Sequence, residues 1–414
     1  MNRVKNLKCA SCWESYDDLP PSYTCPACGG LLSVDYRYDT ILPCSFLKSL
    51  SEPAPAPIWR YSALLPTDLE GPLPRLAVGG TPLYRDMPLG KELGIRELMV
   101  KDDGLNPTGS SKDRASCVAV AMALKQKAST ISCASTGNAA SSCAGSAASA
   151  GMRSVIFVPR RAPQAKLVQL LMFGAVVVRV DGDYADAFKL SAEAILVHGW
   201  YNRNAAINPY MIEGKKTVSY EIAEGMKWEV PDWVVVSVGD GCTIAGVGKG
   251  FRELARVGVI GRQPRLLGVQ ARGANAISLA LRTGRRVECG GADTFADSIA
   301  VAMPRNGLKA IEAVRNSRGT MVEVSDEAIA GAMLRLGRSC GIFAEPAASA
   351  GLAGLESAIE RGIINSNDTV CLILTGNGLK DVASGASIGG EPIDVPPELD
   401  VLEKALMKVA PEVL

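Results

Sequence analysis

The stretch Asn106-Pro107-Thr108-Gly109-Ser110-Ser111-Lys112-Asp113-Arg114, followed about twenty residues on by Ser135-Thr136-Gly137-Asn138, decides the reading of this chain. Just upstream, residues 96–101 carry the apolar run Leu98-Met99-Val100 and read as a short strand. Downstream, Ala115, Val118, Ala119, Met122 and Ala123 recur at helical spacing. Lys112 is therefore predicted at a strand-to-helix turn. The positive end of the helix dipole disfavours a second positive charge there, so the amine should lose its proton readily and become a nucleophile. A single lysine is most often a solvated surface charge; two Gly/Ser turns, each after a strand and before a helix, favour the chemical reading.

Outward from this stretch, strands and helices alternate from Thr81 on. Apolar runs predict strands at 130–134, 154–158, 175–180, 233–238, 265–270 and 369–374. Helical periodicity predicts helices at 138–150, 164–173, 184–198, 244–257, 326–339 and 346–360. That order implies an α/β fold with largely parallel, doubly wound and doubly covered sheets, whose ligands gather at the carboxyl ends of the strands, where the Gly/Ser turns fall. After Val234-Val235-Val236-Ser237-Val238 comes Gly239-Asp240-Gly241-Cys242-Thr243, then a helix. Amides at such a helix start suit a phosphate dianion, although an ordinary strand-to-helix connection has the same composition. A dinucleotide fingerprint would need glycine where Ile244 stands, and Gly248-Lys249 lacks the upstream glycine and following Ser/Thr of a Walker loop.

Near the N-terminus, Cys9-x2-Cys12 and Cys25-x2-Cys28, separated by twelve residues, have the spacing of a zinc ribbon, in which each pair presents two thiolates to one tetrahedral metal. Residues 1–35 are assigned to this ribbon. A proline-rich connector follows, from Pro43 through Pro53, Pro55, Pro57, Pro66, Pro72 and Pro74, and is expected to be extended or irregular. The other eight cysteines (Cys44, Cys117, Cys133, Cys143, Cys242, Cys289, Cys340, Cys371) mostly lie in apolar segments and read as small buried hydrophobes. The single histidine, His198, rules out a His-rich catalytic metal site and reads as structural.

A chain of 414 residues is long enough for two core domains plus an appendage. Its net charge of +1 gives no long-range pull toward nucleic acid or an anionic membrane surface. No apolar run is long enough to cross a bilayer and no signal-peptide pattern is present, so a cytoplasmic enzyme with a small-molecule substrate is expected.

Five segments then fall in order. Gly79-Gly80-Thr81-Pro82-Leu83, the lysine segment, Ala134-Ser135-Thr136-Gly137-Asn138, Asn208-Pro209 with Glu213-Gly214, and Leu374-Thr375-Gly376-Asn377-Gly378-Leu379-Lys380-Asp381 together resemble the threonine synthase family, one of the fold type II pyridoxal-phosphate enzymes. A lysine placed like Lys112 suits a Schiff base with pyridoxal 5'-phosphate. The resemblance implies that Lys112 both carries the cofactor and acts as catalytic base. It places the cofactor phosphate on Gly239, Asp240, Gly241, Cys242 and Thr243, with the Asp240 carboxylate expected to point away or cap the turn. Thr375 would face the pyridine nitrogen, a neutral partner that makes the ring a milder electron sink. Asn138 would approach the ring oxygen, while Ser135, Thr136 and Gly137 join it in gripping the substrate carboxylate. Taken alone, Asn138 also reads as a helix N-cap. The resemblance further implies a large cofactor domain (36–114 and 201–414), a small inserted domain (115–200) and a homodimer.

This chain departs from the family's pattern at the substrate. The segment that in the family resembles Asn-Ser-x-Asn-Pro-x-Arg-(Ile/Leu)-Glu-Gly, whose Ser and Arg help hold the phosphate of O-phosphohomoserine, has Ala206 and Met211 at those two places. Ser111 stands in place of a phenylalanine and Asn377 in place of a common histidine. Three readings follow: a threonine synthase or close derivative; a dehydratase or β-replacement enzyme such as cysteate synthase, which joins sulfite to O-phosphoserine; or an inactive fold whose ribbon binds a partner or nucleic acid. The last is disfavoured by retained Lys112 and by Glu14, Asp17 and Asp18, which offset Lys5 and Lys8. Arg305 is a candidate replacement anion contact, though a loop surface charge reads better.

Overall fold

Between its glycine and proline turns the chain folds its apolar runs into three sheets; the computed structural model describes residues 3–162, 164–204 and 207–413. Strands β1 (Val4–Cys9), β2 (Ser15–Tyr16) and β3 (Leu32–Tyr36) form an antiparallel ribbon in the order β2-β1-β3. β4 (Leu83–Tyr84) and β5 (Glu97–Asp102) begin a large sheet. The chain then leaves it to build a parallel sheet from β6 (Thr130–Ala134), β7 (Arg153–Pro159), β8 (Val176–Val180) and β9 (Tyr201–Asn202), ordered β8-β7-β6-β9. It returns with β10 (Trp233–Ser237), β11 (Arg265–Ala271), β12 (Thr320–Val324) and β13 (Thr369–Leu374), completing the order β12-β11-β10-β13-β5-β4. All pairs of the large sheet are parallel except β4 with β5.

Burial explains which runs become which strands. β6, β10 and β13 are buried at every position, so their sequences are largely apolar and carry no charge, with only the small hydroxyl residues Thr130, Ser132, Ser237 and Thr369 as exceptions, as suits a parallel sheet covered on both faces. The helices Lys112–Lys125 and Cys242–Val257 cover one face of the large sheet, with Val118, Val234, Ile244 and Leu254 in one core. On the other face Pro346–Glu360 packs Leu352 and Leu355 against Val235 and Val269. Close approach has its own requirement: a Cβ added to Gly214 would lie 1.9 Å from the Arg114 carbonyl oxygen, so only glycine lets the helix Tyr210–Lys215 rest on the lysine helix.

Three expectations need correction. The proline-rich connector contains the helices Pro43–Ser49 and Pro57–Leu64, each opening with proline at its start, where a missing N–H costs nothing. Among the eight remaining cysteines, Cys44 and Cys289 are exposed rather than buried. Strand β12 was not predicted, because Glu323 interrupts its short apolar run at the edge of the sheet. His198 ends the helix Tyr184–His198 and stacks on Trp200.

Candidate active site

The central strands of the large sheet, β10, β13 and β5, lie side by side and in parallel, so the turns at their carboxyl ends come together. These are Gly239–Thr243 after β10, Thr375–Asn377 after β13, and the lysine segment after β5. Main chain stitches two of them: the Ser111 amide donates to the Thr375 carbonyl (2.8 Å) and the Asn377 amide to the Gly109 carbonyl (3.0 Å). Lys112 and Thr375 are thereby brought to one place.

The lysine turn is held rigid by its neighbours. The Asp113 carboxylate accepts from the Thr108 amide (2.7 Å) and from the Thr108 hydroxyl. The buried Arg114 guanidinium pairs with Asp103 (2.7 Å) and Glu221 (2.6 Å). Thr81 donates to Asp103 (2.8 Å) and the Gly80 amide to Glu221 (2.9 Å), which is why the Gly79-Gly80-Thr81 motif accompanies the lysine segment. Lys112 itself opens the helix Lys112–Lys125, and its Nζ makes no hydrogen bond or ion pair among the described residues. Burial, helped by the charges of Lys215 and Arg203 against that of Glu345, draws its pKa down to about 8.

At the turn Gly239–Thr243, Gly241 has φ +90°, a conformation that glycine alone adopts freely, and the helix Cys242–Val257 begins behind it with no side-chain cap. Its first amides are left for another acceptor. The Asp240 carboxylate accepts from the Arg305 amide (2.9 Å) and the Asn306 side-chain amide (2.7 Å). Arg305 is exposed and lies over the Phe188 ring at 4.3 Å.

Ser135, Thr136 and Gly137 follow β6, half-buried, and a Cβ on Gly137 would meet nothing within 4 Å, so this loop borders open space. Asn138 is the first residue of its helix, not the cap; the cap position is Gly137, without a side-chain bond. The Asn138 amide reaches instead across to the other sheet's side, donating to both oxygens of Glu345 (3.0 and 2.9 Å). Between these residues lies a cleft of about 460 Å³, bordered by Thr136, Gly137, Asn138, Ser298, Glu345 and Lys380, large enough for a small ligand. Lys112 does not line this mouth but stands close enough to Glu345 to feel its charge.

The sequence did not single out Glu345, Arg203 or Lys215. Glu345 caps the helix Pro346–Glu360, and its burial raises its pKa. Arg203 is 1% exposed and donates to Ser116 (3.0 Å) and Ser142 (3.3 Å), the residues one helical turn beyond Lys112 and Asn138, so it braces both cleft helices from beneath. Lys215 is buried and donates to the Thr243 hydroxyl (3.2 Å). Glu-Pro at a helix start was a usable signal for the first; Gly214-Lys215-Lys216 looks like a surface charge run and hid the last. Met211 is fully buried in the core, and Ala206 lies outside the described residues.

In the ribbon, the Sγ atoms of Cys9, Cys12, Cys25 and Cys28 all lie within 4.8 Å of one another, with Cys9–Cys28 at 3.5 Å and Cys12–Cys25 at 3.6 Å. A tetrahedron of thiolates about 2.3 Å from zinc has edges of about 3.8 Å, so the set fits one structural zinc with no open position. The amides of Ser11 (3.3 Å) and Cys12 (3.5 Å) point at the Cys9 sulfur, as in a metal-binding knuckle.

Residues 74–376 match the family described as pyridoxal-phosphate dependent enzyme. The chain belongs to that family. The enzyme is 37% identical over 405 residues to the threonine synthase of Methanocaldococcus jannaschii, covering 97% of this chain and 99% of that one. It is likewise 37% identical over 404 residues to the threonine synthase of Methanosarcina acetivorans, covering 97% and 98%. The processed threonine deaminase isoform 2 of Solanum lycopersicum shares its fold, with a TM-score of 0.64, 22% identity, and coverage of 89% of this chain and 93% of that one. The enzyme is thus a threonine synthase-like, pyridoxal-phosphate-dependent lyase of fold type II. Its own geometry fits that cofactor: an unpartnered, sunken amine on Lys112 for the aldehyde, and uncapped amides beside a buried ammonium for the phosphate. No described helix is long and apolar enough to cross a membrane.

Proposed function

We propose that the enzyme eliminates phosphate from the side chain of a phosphorylated amino acid and then adds a nucleophile to that side chain, with conversion of O-phosphohomoserine to threonine, in which phosphate leaves Cγ and water adds at Cβ, as the best-supported reaction. The paired turns that bring Lys112 and Thr375 together, with Asn138 at the neighbouring cleft bonded to the Glu345 whose charge reaches Lys112, in a chain 37% identical to a threonine synthase over nearly its whole length, support this reading.

The cofactor, when bound, supplies an electron sink for a carbanion at the substrate's Cα. Lys112 Nζ is the atom that fixes it and, once freed, takes the Cα proton; a pKa of about 8 leaves that amine able to accept a proton near neutrality. Ser135, Thr136 and Gly137 bind the substrate carboxylate where their loop borders the cleft. Asn138, anchored by Glu345, would orient the cofactor ring, and Thr375 would face its nitrogen. Gly239, Gly241, Cys242 and Thr243 hold the phosphate end through main-chain amides, while Asp240 shapes the turn from behind.

The buried Met211 favours a second reading. It places no cation at the position where the family holds a phosphorylated substrate, which suits a β-replacement on O-phosphoserine, of the cysteate synthase kind, or a serine/threonine dehydratase. The division into a ribbon (1–35), a large unit (36–114 and 201–414) and an inserted unit (115–200) belongs to the same proposal, supported by the three sheets; β9 carries the smaller sheet two residues past that boundary. So do a homodimer, a cytoplasmic location and the absence of nucleic acid as a partner.

Borohydride treatment of the purified protein should fix a visible chromophore to the peptide containing Lys112. Incubation with O-phosphohomoserine, and separately with O-phosphoserine plus sulfite, followed by mass spectrometry of the products, then separates the readings. Threonine from the first supports the leading one; release of phosphate from the second alone overturns it.

A further inference from the structure

Lys215 is 4% exposed and reaches the start of the helix Cys242–Val257, yet among the described residues its side chain's one hydrogen bond is to a neutral hydroxyl, Thr243 Oγ1 at 3.2 Å. No carboxylate among the described residues pairs with it. The acid whose charge it shares, Asp240, is committed to the Arg305 amide and the Asn306 side chain and makes no ion pair with Lys215. The buried acids Glu213 and Glu253 on the two helices are engaged by Lys216 and Lys249. Gly246 lets the helix sit directly against the Lys215 stem, since a Cβ there would be 2.9 Å from Lys215 Cβ, so the ammonium cannot easily swing elsewhere. A buried ammonium next to the positive end of a helix, with uncapped amides and no counter-ion, is an unfavourable arrangement that an anion relieves. The Cys242 thiol is too weak a donor to recognise one.

We infer that Lys215 is the counter-charge of the cofactor phosphate, supplementing the amides of the Gly239–Thr243 turn and making the site selective for the phosphorylated cofactor. This rests on the cofactor placement proposed above. The same charge presses on Lys112, so phosphate bound between them also shields the catalytic amine from it.

The test uses cofactor-free full-length enzyme, with binding of pyridoxal phosphate, unphosphorylated pyridoxal and inorganic phosphate followed by absorbance titration and thermal unfolding. Lys215→Gln should bind pyridoxal phosphate about tenfold or more weakly while pyridoxal affinity stays as in the wild type. Inorganic phosphate should raise the unfolding temperature of the wild type and of Lys215→Arg but not of Lys215→Gln. Because removing an uncompensated buried charge relieves a cost, cofactor-free Lys215→Gln should be at least as stable as wild type; a variant that unfolds more readily, or fails to fold, overturns the inference, as does unchanged preference for the phosphorylated cofactor. A wild type that binds no pyridoxal phosphate would instead refute the cofactor placement itself. Unchanged cofactor binding with a raised KM for a phosphorylated substrate would assign Lys215 to the substrate and overturn the inference too.

Discussion

An amine with its pKa drawn down to about 8 behaves differently from an ordinary lysine at neutral pH. About a tenth of it is unprotonated at pH 7, against about three parts in ten thousand for an unperturbed lysine. Capture of pyridoxal phosphate by cofactor-free enzyme should therefore speed up with pH and level off above about 8, and Lys112→Met should show no capture at any pH. The linkage has a definite sign: the folded pKa lies below the unfolded value, so between about 8 and 10.5 the unfolded chain binds the proton more tightly and the folded state gains stability as pH rises. Denaturation of cofactor-free wild type against Lys112→Met over that window should show this gain in the wild type only. Glu345 acts on Asn138 rather than on the substrate. Glu345→Ala leaves the Asn138 amide unanchored and should lower kcat roughly ten- to hundredfold with the fold intact, since small displacements of orienting groups cost that much. Steady-state kinetics checked against the thermal midpoint would show it; kcat unchanged would remove Glu345 from the site.

At the level of elements, the tightest constraint is the contact between the helix Tyr210–Lys215 and the lysine helix. Gly214→Ala puts a methyl 1.9 Å from the Arg114 carbonyl, an overlap with main chain that no rotamer relieves. It should cost about 3 kcal/mol or more, read as a lower denaturant midpoint, because the two helices must separate. That glycine was legible in the sequence as part of a motif, but its reason was not: the clash is with a residue a hundred positions earlier. The same divide runs through the fold. β6 and β13 match the predicted 130–134 and 369–374 because a doubly buried strand excludes charged side chains and is mostly apolar. The helices Tyr210–Lys215 and Thr217–Gly225 were not predicted, since their Glu213 and Glu221 are buried charges whose partners Lys249, Lys101 and Arg114 lie elsewhere in the chain. In the site, Lys112, Asn138 and Thr375 stood out because each ends a strand or opens a helix at a small-residue turn. Glu345, Arg203 and Lys215 act through contacts that cross from one part of the chain to another, and local patterns carry no trace of those.

The ribbon is part of the core that supports the catalytic turns. Leu32, Val34 and Tyr36 of β3 are buried together with Ile244 and Leu254 of the helix Cys242–Val257. β3 also supplies polar partners to that core: the Val34 carbonyl accepts from Lys249 (2.6 Å), the Leu32 carbonyl from Lys309 (2.6 Å), and the Tyr36 hydroxyl donates to Glu213 (2.7 Å). Lys309 and Lys249 both have pKa values lowered by burial, Lys309 to about 8, so each depends on the few acceptors it has. Zinc closes the far end of this ribbon by joining the turn before β2 to the turn before β3. Without metal, the two knuckles lose their crosslink, β3 frays from its ribbon partner β1, and the two ammonium groups lose carbonyl acceptors that water cannot easily replace. Chelation, or Cys9→Ser, should therefore do more than melt an appendage: it should lower the unfolding temperature of the whole chain in one transition and weaken pyridoxal phosphate binding, although no zinc ligand touches the cleft. Calorimetry with metal analysis distinguishes the cases, because an independent ribbon would give a separate small transition and leave the main midpoint and cofactor affinity where they were.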